Sequence, residues 1–337
     1  MKAAVFYEKG KILVEDHECR HPKAGEVLIR VKAAGVCGTD MHIYGGAKGA
    51  SECYPPVVLG HEFAGVVAEV GDNVKKVKVG DHVTVDPSIM CDNCWECQIG
   101  TPHFCEGYSA TGVTYDGGFA EYCTVLEKQI YRLKEDIPFE EAAMCEPVGC
   151  CLHGIDRAHI KAGDVVLIIG GGTIGLIMMQ LAKISGASVV IVSEPMESKR
   201  KMALELGADY VVNPMQEDLF EVLKLNQIRK VNVSIECVGR AETMKDAVKY
   251  AGQGAHIVFF GVSDPDCEIP IKPYEVFQRE LTITASYVNP FTHGRAVELI
   301  NNRKLKLKEL ISDMIPLDEI ERAFEIGGKN GKMMIIP

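Results

Sequence analysis

The residues best equipped for chemistry lie between Cys37 and Glu62. The stretch opens Cys37-Gly38-Thr39-Asp40-Met41-His42 and closes Gly60-His61-Glu62. Zinc binds thiolate, imidazole and carboxylate, and a catalytic zinc keeps one position open for water or substrate. Cys37 offers sulfur, His61 nitrogen and Glu62 oxygen. Thr39 and His42 suit proton movement better than ligation: a hydroxyl two residues from a ligand, with an imidazole three residues further on, can lead a proton away from the metal. Asp40 either orients that relay or fixes the turn by bonding backbone N–H groups. A lone Cys or His is more often a packed thiol or a surface imidazole. The motifs that follow in the chain are what support the metal reading here.

Cys91, Cys94, Cys97 and Cys105 are spaced C-x2-C-x2-C-x7-C in a Pro-, Asn- and Gly-rich lobe from Pro87 to Gly107. Four thiolates so spaced match a closed tetrahedral zinc site, which supplies folding energy to a segment with no core of its own. Iron–sulfur clusters use similar cysteine spacings and are the alternative. His103, inside the same loop, reads as a surface histidine. Further on, Glu146 precedes Pro147, whose ring disfavours the helical region for the residue before it. A carboxylate on such a bend is a candidate second carboxylate for the catalytic metal.

A third motif follows a continuous apolar run, Val165–Ile169. It reads Gly170-Gly171-Gly172-Thr173-Ile174-Gly175 and leads into an apolar segment read as a helix from Leu176 to Ser185. A G-x-G-x-x-G that leaves a strand and opens a helix is the dinucleotide-binding fingerprint. Gly170 permits the turn, Gly172 lets backbone N–H groups approach a pyrophosphate, and Gly175 lets helix and strand pack. Glu194 stands nineteen residues beyond Gly175, where an acid bonds the ribose 2′-hydroxyl. A carboxylate there repels a 2′-phosphate, so NAD is expected over NADP. Lys199 and Arg200 are basic and near enough to weaken that preference; they read as first-turn surface charges, with Lys199 covering the adenine. Gly261, like Gly239, falls at a strand C-terminus, where open α/β sheets bind ligands.

The elements that must position these residues differ along the chain. Up to residue 126, short apolar runs alternate with Gly and Pro turns, as at Ala3–Tyr7, Val27–Ala33, Phe63–Val70 and His82–Val85; this predicts a compact β-barrel. From Val165, strands at Val165–Ile169, Ser188–Val192, Tyr210–Asn213, Val231–Glu236 and Ala255–Phe260 alternate with helices or turns. That pattern predicts an α/β fold with a doubly wound parallel sheet. The segment from Leu281 returns to mixed texture, and its terminal strand Lys332–Ile336 is expected to rejoin the first domain. Length favours two domains. A net charge of −11 argues against a nucleic-acid or anionic-membrane surface. No signal-peptide core or membrane-length apolar run is present. Thirteen dispersed cysteines fit a reducing compartment, so a cytoplasmic location is expected.

With these residues in this order, the whole chain resembles the zinc-containing medium-chain alcohol dehydrogenases. Within them it is most similar to the sorbitol and polyol dehydrogenase branch, on Glu146-Pro147 and the segments Pro273–Ile283 and Asn289-Pro290-Phe291. The threonine dehydrogenase branch shares the Cys-Gly-Thr-Asp-x-His-Ile-Tyr motif and is the rival. The resemblance implies a GroES-like zinc-binding catalytic domain at 1–148, a Rossmann domain at 149–284, and a return segment at 285–337. It implies two zinc ions per chain, one catalytic and one structural, with NAD as cofactor. The substrate is then a small-molecule alcohol or polyol, with no nucleic acid and no membrane as partner, and the assembly a homotetramer. The implied reaction interconverts a secondary alcohol and its ketone. Cys37, His61 and Glu62 hold the catalytic zinc, with Glu146 beside them or exchanging in, and Thr39 passes the proton through the cofactor ribose to His42. L-threonine or a short diol is the alternative substrate, and a non-enzymatic nucleotide-binding protein the alternative class.

Overall fold

The computed structural model describes residues 1–47, 51–328 and 330–337. The chain divides into two compact units: Met1–Gly149 with Val288–Pro337, and Cys150–Tyr287.

The first unit is built on a seven-stranded sheet. Its strands run in the order Ile130–Arg132, His82–Val85, Glu62–Val70, Glu26–Gly35, Lys332–Ile336 and Ile311–Pro316, with Tyr122–Leu126 also pairing with Glu26–Gly35. Alternating apolar residues along Glu26–Gly35 bury Val27, Ile29 and Val31 with Phe63, Phe119 and Ile130, and each fully buried side chain of this size contributes about 1.5–3 kcal/mol. One strand thus has three partners: its start meets Tyr122–Leu126, its length Glu62–Val70, and its end Lys332–Ile336. A smaller sheet joins Lys11–Asp16, Lys2–Glu8 and Val57–Val58.

Two local readings from the sequence are corrected here. The stretch after Cys37, read as a turn, is a helix over Gly38–Tyr44. Asp40 makes it so, because its Oδ2 accepts the Cys37 N–H at 2.8 Å and satisfies a donor that a helix start leaves unpaired. Glu146 is not on a bend that ends at Pro147. Both lie in the first turn of a helix, Cys145–Ala158, where proline is tolerated because first-turn N–H groups need no intrahelical partner.

The second unit is a six-stranded sheet in the order Tyr210–Val212, Val189–Ser193, Val165–Ile169, Val231–Glu236, Ala251–Phe259 and Thr282–Ala285. Every pairing is parallel. Numbered by chain position the order is 3-2-1-4-5-6, that of a Rossmann fold, with its switch point between the first and fourth strands. The first strand is apolar throughout because neighbours cover it on both sides. The helix after it starts at Thr173, three residues earlier than the apolar run suggests, and is buried on most of its surface from Gly175 to Ala182.

Candidate active site

Three strand ends and one helix start meet at the Cys37 site. Cys37 follows Glu26–Gly35 and precedes the Gly38–Tyr44 helix. His61 and Glu62 stand at the start of Glu62–Val70, whose first residue lies opposite Gly35 in the register. One ligand atom from each of Cys37, His61 and Glu62 falls within 4.8 Å of the other two. His61 and Glu62 are buried, at 7% and 1% exposed, and Cys37 is half-buried.

The surroundings of these three side chains fit a divalent cation. Asp40 is fully buried, and its Oδ1 lies 3.4 Å from His61 Nδ1. Neither atom has another hydrogen-bond partner. A carboxylate facing one ring nitrogen holds the proton there and leaves the other nitrogen to ligate. Burial alone would lower the His61 pKa, but the charges of Asp40 and then Cys37 outweigh it and raise it well above 6.5. The carboxylate and thiol around His61 thus favour positive charge at this position.

A buried lysine completes the site, and it is one of the residues that sequence reading missed. Lys332 Nζ pairs with Glu62 Oε2, their side chains 8% and 1% exposed. Burial works to lower the lysine's pKa. The fields of Glu62 and Cys37, the bond to Glu62 and the field of Glu146 act against it, and the net result is a raised pKa. Glu146, itself 8% exposed, thus lies within electrostatic reach of the site without joining the three clustered ligand atoms. The available signal was a single lysine opening the apolar run Met333–Ile336, since lysine is rarely buried unless paired. Thr39, half-buried, and His42, exposed, are three apart on the Gly38–Tyr44 helix and so share a face. The same unit holds a cavity of about 460 Å³, lined by His17, Arg20, Asp116 and Gln129 among others; it includes none of these residues.

The four lobe cysteines also converge, with one sulfur each from Cys91, Cys94, Cys97 and Cys105 within 4.8 Å of the others. Backbone N–H groups are aimed at the sulfurs: Cys91 N–H at Cys105 Sγ and Cys94 N–H at Cys91 Sγ, both 3.3 Å. Bonds from the Asn93 and Cys94 N–H groups hold the Cys91 thiol down at about 6. Burial pushes the Cys97 thiol the other way, up to about 12, but a Cys91 thiol held low and four converging sulfurs suit zinc. His103 packs its ring 4.1 Å from that of Phe104.

In the second unit the glycine turn sits at the C-terminal edge of the sheet. A side chain at Gly175 would overlap the Gly170 carbonyl oxygen, so helix and strand can close only on glycine there. Over Gly172 there is open space, with no heavy atom within 4 Å of where a Cβ would stand, and the Thr173–Ile184 helix begins here with its N–H groups available to an anion. Thr173 and Ile174 form its first turn. Glu194, 6% exposed, accepts the Gly171 N–H at 2.8 Å and the Met196 N–H at 2.9 Å. Arg200 is turned onto the Glu194 carbonyl at 2.8 Å, and Lys199 lies half-buried on the Glu197–Leu206 helix. Sequence reading missed Glu236, which is fully buried. It accepts the Val238 and Gly239 N–H groups and the Thr243 hydroxyl, and lies directly under Gly261. It fixes the loop that carries Gly239.

The alcohol dehydrogenase GroES-like domain matches residues 23–135, and the zinc-binding dehydrogenase domain matches residues 173–302. L-threonine 3-dehydrogenase of Thermococcus kodakarensis is 37% identical over 323 residues, covering 94% of this chain and 92% of its own. D-arabinitol dehydrogenase 1 of Uromyces fabae is 32% identical over 334 residues, covering 96% and 93%. A protein described only as a zinc-binding dehydrogenase, from Sinorhizobium meliloti 1021 and solved with NADP bound, superposes with a TM-score of 0.96 at 38% identity over 100% of this chain and 99% of its own. The chain belongs to the zinc-containing medium-chain alcohol dehydrogenase family, with a GroES-like domain and a Rossmann-like parallel sheet. It is an oxidoreductase of that family. Among the described residues, no helix is long and apolar enough to cross a membrane.

Proposed function

We propose that this protein is a zinc-dependent, NAD-preferring dehydrogenase that interconverts a secondary alcohol of a polyol or sugar derivative and its ketone. The observation that carries the proposal is the buried cluster of Cys37, His61 and Glu62 with Asp40 behind the imidazole. Zinc bound there supplies a Lewis acid that lowers the pKa of an alcohol hydroxyl. The nicotinamide cofactor accepts the hydride.

The chain's own residues do the rest. Cys37, His61 and Glu62 hold the ion, and Asp40 fixes the His61 tautomer. Thr39, on the first turn of its helix, takes the substrate proton and hands it towards His42, which is exposed and able to release it to water. Glu146 is the alternative carboxylate for the ion. Backbone N–H groups at the start of the Thr173–Ile184 helix hold the pyrophosphate, with Gly170, Gly172 and Gly175 giving it room. Glu194 presents a carboxylate where a 2′-phosphate would stand, which favours NAD, and Lys199 and Gly261 flank the nucleotide. The NADP held by the Sinorhizobium meliloti protein points the other way, so cofactor choice is a direct test of Glu194.

Threonine is the second substrate reading, favoured by the 37% identity to a threonine dehydrogenase over 94% of the chain. Steady-state reduction of NAD and NADP, followed at the nicotinamide absorbance over polyols, aldonates, sugar phosphates, threonine and short diols, separates the two readings. Polyols or sugar derivatives should give the highest kcat/KM. A threonine preference of tenfold or more refutes the polyol reading and leaves the zinc dehydrogenase chemistry standing.

A further inference from the structure

We propose that Asn289 is a positioning residue through which the four-cysteine lobe sets the helix turn that carries Glu146. This rests on the reading of the four cysteines as a zinc site and of Glu146 as the alternative carboxylate for the catalytic ion.

The lobe hangs from a short ribbon. Ser88–Ile89 pairs antiparallel with Ser109–Ala110, and residues 90–108, with all four cysteines, close the loop between them. Two residues per strand hold little by themselves, so the geometry of the ribbon depends on what closes the loop. Ser88 carries that geometry inward. Its N–H donates to Asp86 Oδ1 at 3.0 Å, and its hydroxyl donates to Asn289 Oδ1 at 3.2 Å in a buried place. A hydroxyl has one proton to give. The Tyr108 hydroxyl, also 3.2 Å from Ser88 Oγ, is therefore the donor in its own bond to Ser88. Tyr108, three residues past Cys105, thus bonds to Ser88, and Ser88 to Asn289.

The return segment carries the line on to the helix. The Thr292 hydroxyl lies 3.0 Å from the Asn289 carbonyl oxygen and donates to the Gly149 carbonyl at 2.7 Å. Gly149 stands three residues after Glu146 in the Cys145–Ala158 helix, about one turn further on. Packing runs the same way: a Cβ on Gly149 would stand 3.5 Å from both Asn289 Nδ2 and Thr292 Oγ1. Ser88, Asn289, Thr292 and Glu146 are all buried, and all belong to the first unit. The segment does not follow this course by backbone preference. Val288 and Phe291, on either side of Asn289-Pro290, have φ of +48° and +59°. Residues with bulky side chains avoid that region, and it persists only where the surroundings impose it. The bonds at Ser88 and Gly149 help to impose it here. Without the Ser88 anchor, the segment can relax, Thr292 moves relative to Gly149, and the turn holding Glu146 loosens. An emptied lobe acts alike, because Ser88 and Tyr108 lose the closed loop between them.

The test begins with metal content. If Cys97→Ala does not lower the zinc per chain, the zinc reading of the lobe fails, and the Ser88 variants still decide the role of Asn289. In the zinc-loaded enzyme, Ser88→Ala should lower kcat by about tenfold with little change in KM, on the scale that a small misplacement produces away from the chemistry. It should also speed hydrogen exchange of the backbone N–H groups in the first two turns of the Cys145–Ala158 helix. Ser88→Thr keeps the hydroxyl and should restore both. Asn289→Ala should repeat Ser88→Ala, and the double variant should be no worse than either, since both cut the same line. Cys97→Ala should speed exchange in the same turns, and adding Asn289→Ala should deepen its loss of kcat by less than about twofold. The Ser88 pair does not depend on that lobe variant folding. A merely structural lobe predicts lower thermal stability, unmoved exchange in the helix while the protein is folded, and losses that multiply when combined. Unmoved exchange in Ser88→Ala overturns the proposal, and so do multiplying losses in the double variant.

Discussion

Replacing Asp40 by asparagine and by alanine should produce opposite orders of damage in metal binding and in folding. Asp40 does two jobs with two oxygens. Oδ2 accepts the Cys37 N–H at 2.8 Å, and Oδ1 faces His61 Nδ1 at 3.4 Å from a fully buried position. Asparagine can keep the first contact through its carbonyl. Its amide NH2 then faces His61 Nδ1, and a donor there moves the ring proton to the other nitrogen, the one needed for ligation. Loss of an outer carboxylate costs about 10–100-fold in metal affinity, which is about 1.4–2.7 kcal/mol. Asp40→Asn should sit at the upper end of that range because it selects the wrong tautomer. Asp40→Ala should sit at the lower end, since it leaves the ring free to choose. Folding should rank them the other way. Alanine leaves the part-buried Cys37 N–H without its carboxylate, at up to about 1–3 kcal/mol, whereas asparagine keeps it bonded. Chelator competition measures the first quantity, and urea unfolding of the metal-free protein, read by a probe in the catalytic unit, measures the second. If Asp40→Ala loses more zinc affinity than Asp40→Asn, the tautomer argument is wrong.

Four further outcomes follow from the structure. Cys97→Ala should lower stability and release one zinc per chain, while Cys37→Ala abolishes turnover and leaves the fold intact, as metal analysis with thermal unfolding would show; an activity-only phenotype in both contradicts this division. Glu194→Ser, with Lys199 and Arg200 kept, should raise the ratio of NADP to NAD kcat/KM by removing a repulsion, and a wild type that already prefers NADP refutes the role given to Glu194. Thr39→Val should cost about 10²–10⁴-fold in oxidation rate; His42→Ala should cost less and recover at high pH or with added imidazole, and an unchanged pH–rate profile in His42→Ala removes His42 from the path. His293 is fully buried beside the Tyr131 ring, with no partner on either nitrogen. Burial, and then the Lys76 charge, press its pKa down to about 3. A depressed folded pKa gives stability that is full above about 6.5 and is lost as pH falls towards 3, at up to about 1.4 kcal/mol per pH unit. His293→Phe should therefore shift acid unfolding to lower pH, and equal acid midpoints in the two proteins would rule this out.

What the sequence disclosed and what it hid have separate physical causes. Val231–Glu236 and Lys332–Ile336 were readable with the bounds they have in the structure, because apolar–polar alternation in the first and a continuous apolar run after Lys332 in the second both mark strands. The glycine turn was equally plain, since its spacing reflects close packing between consecutive elements. The Gly38–Tyr44 helix was hidden because Gly38-Thr39-Asp40 has turn composition; its start depends on a side-chain bond that spacing cannot display. Ile311–Pro316 was missed because half its residues face outward and its apolar period is weak. Lys332 and Gly35 lie almost 300 residues apart in the chain. Their relation to Glu62 is a matter of strand register, which no local pattern carries.

The place of Lys332–Ile336 inside the sheet also sets an order of assembly during synthesis. Residues 1–149 are the larger part of the first unit, yet the strand that pairs with Gly35 is made only after the whole of the second unit, Cys150–Tyr287. At about 5–20 residues per second, the intervening stretch takes roughly 10–40 s to translate. Through that interval the end of Glu26–Gly35 has an unpaired edge and Glu62 has no lysine beside it. The four-cysteine lobe is under no such delay, since Cys91 to Cys105 is a local segment that can close around its ion as soon as it emerges. The two clusters of candidate metal ligands are thus completed at different times: the four cysteines while the chain is still growing, the surroundings of Cys37 only after the returning strand has taken its place.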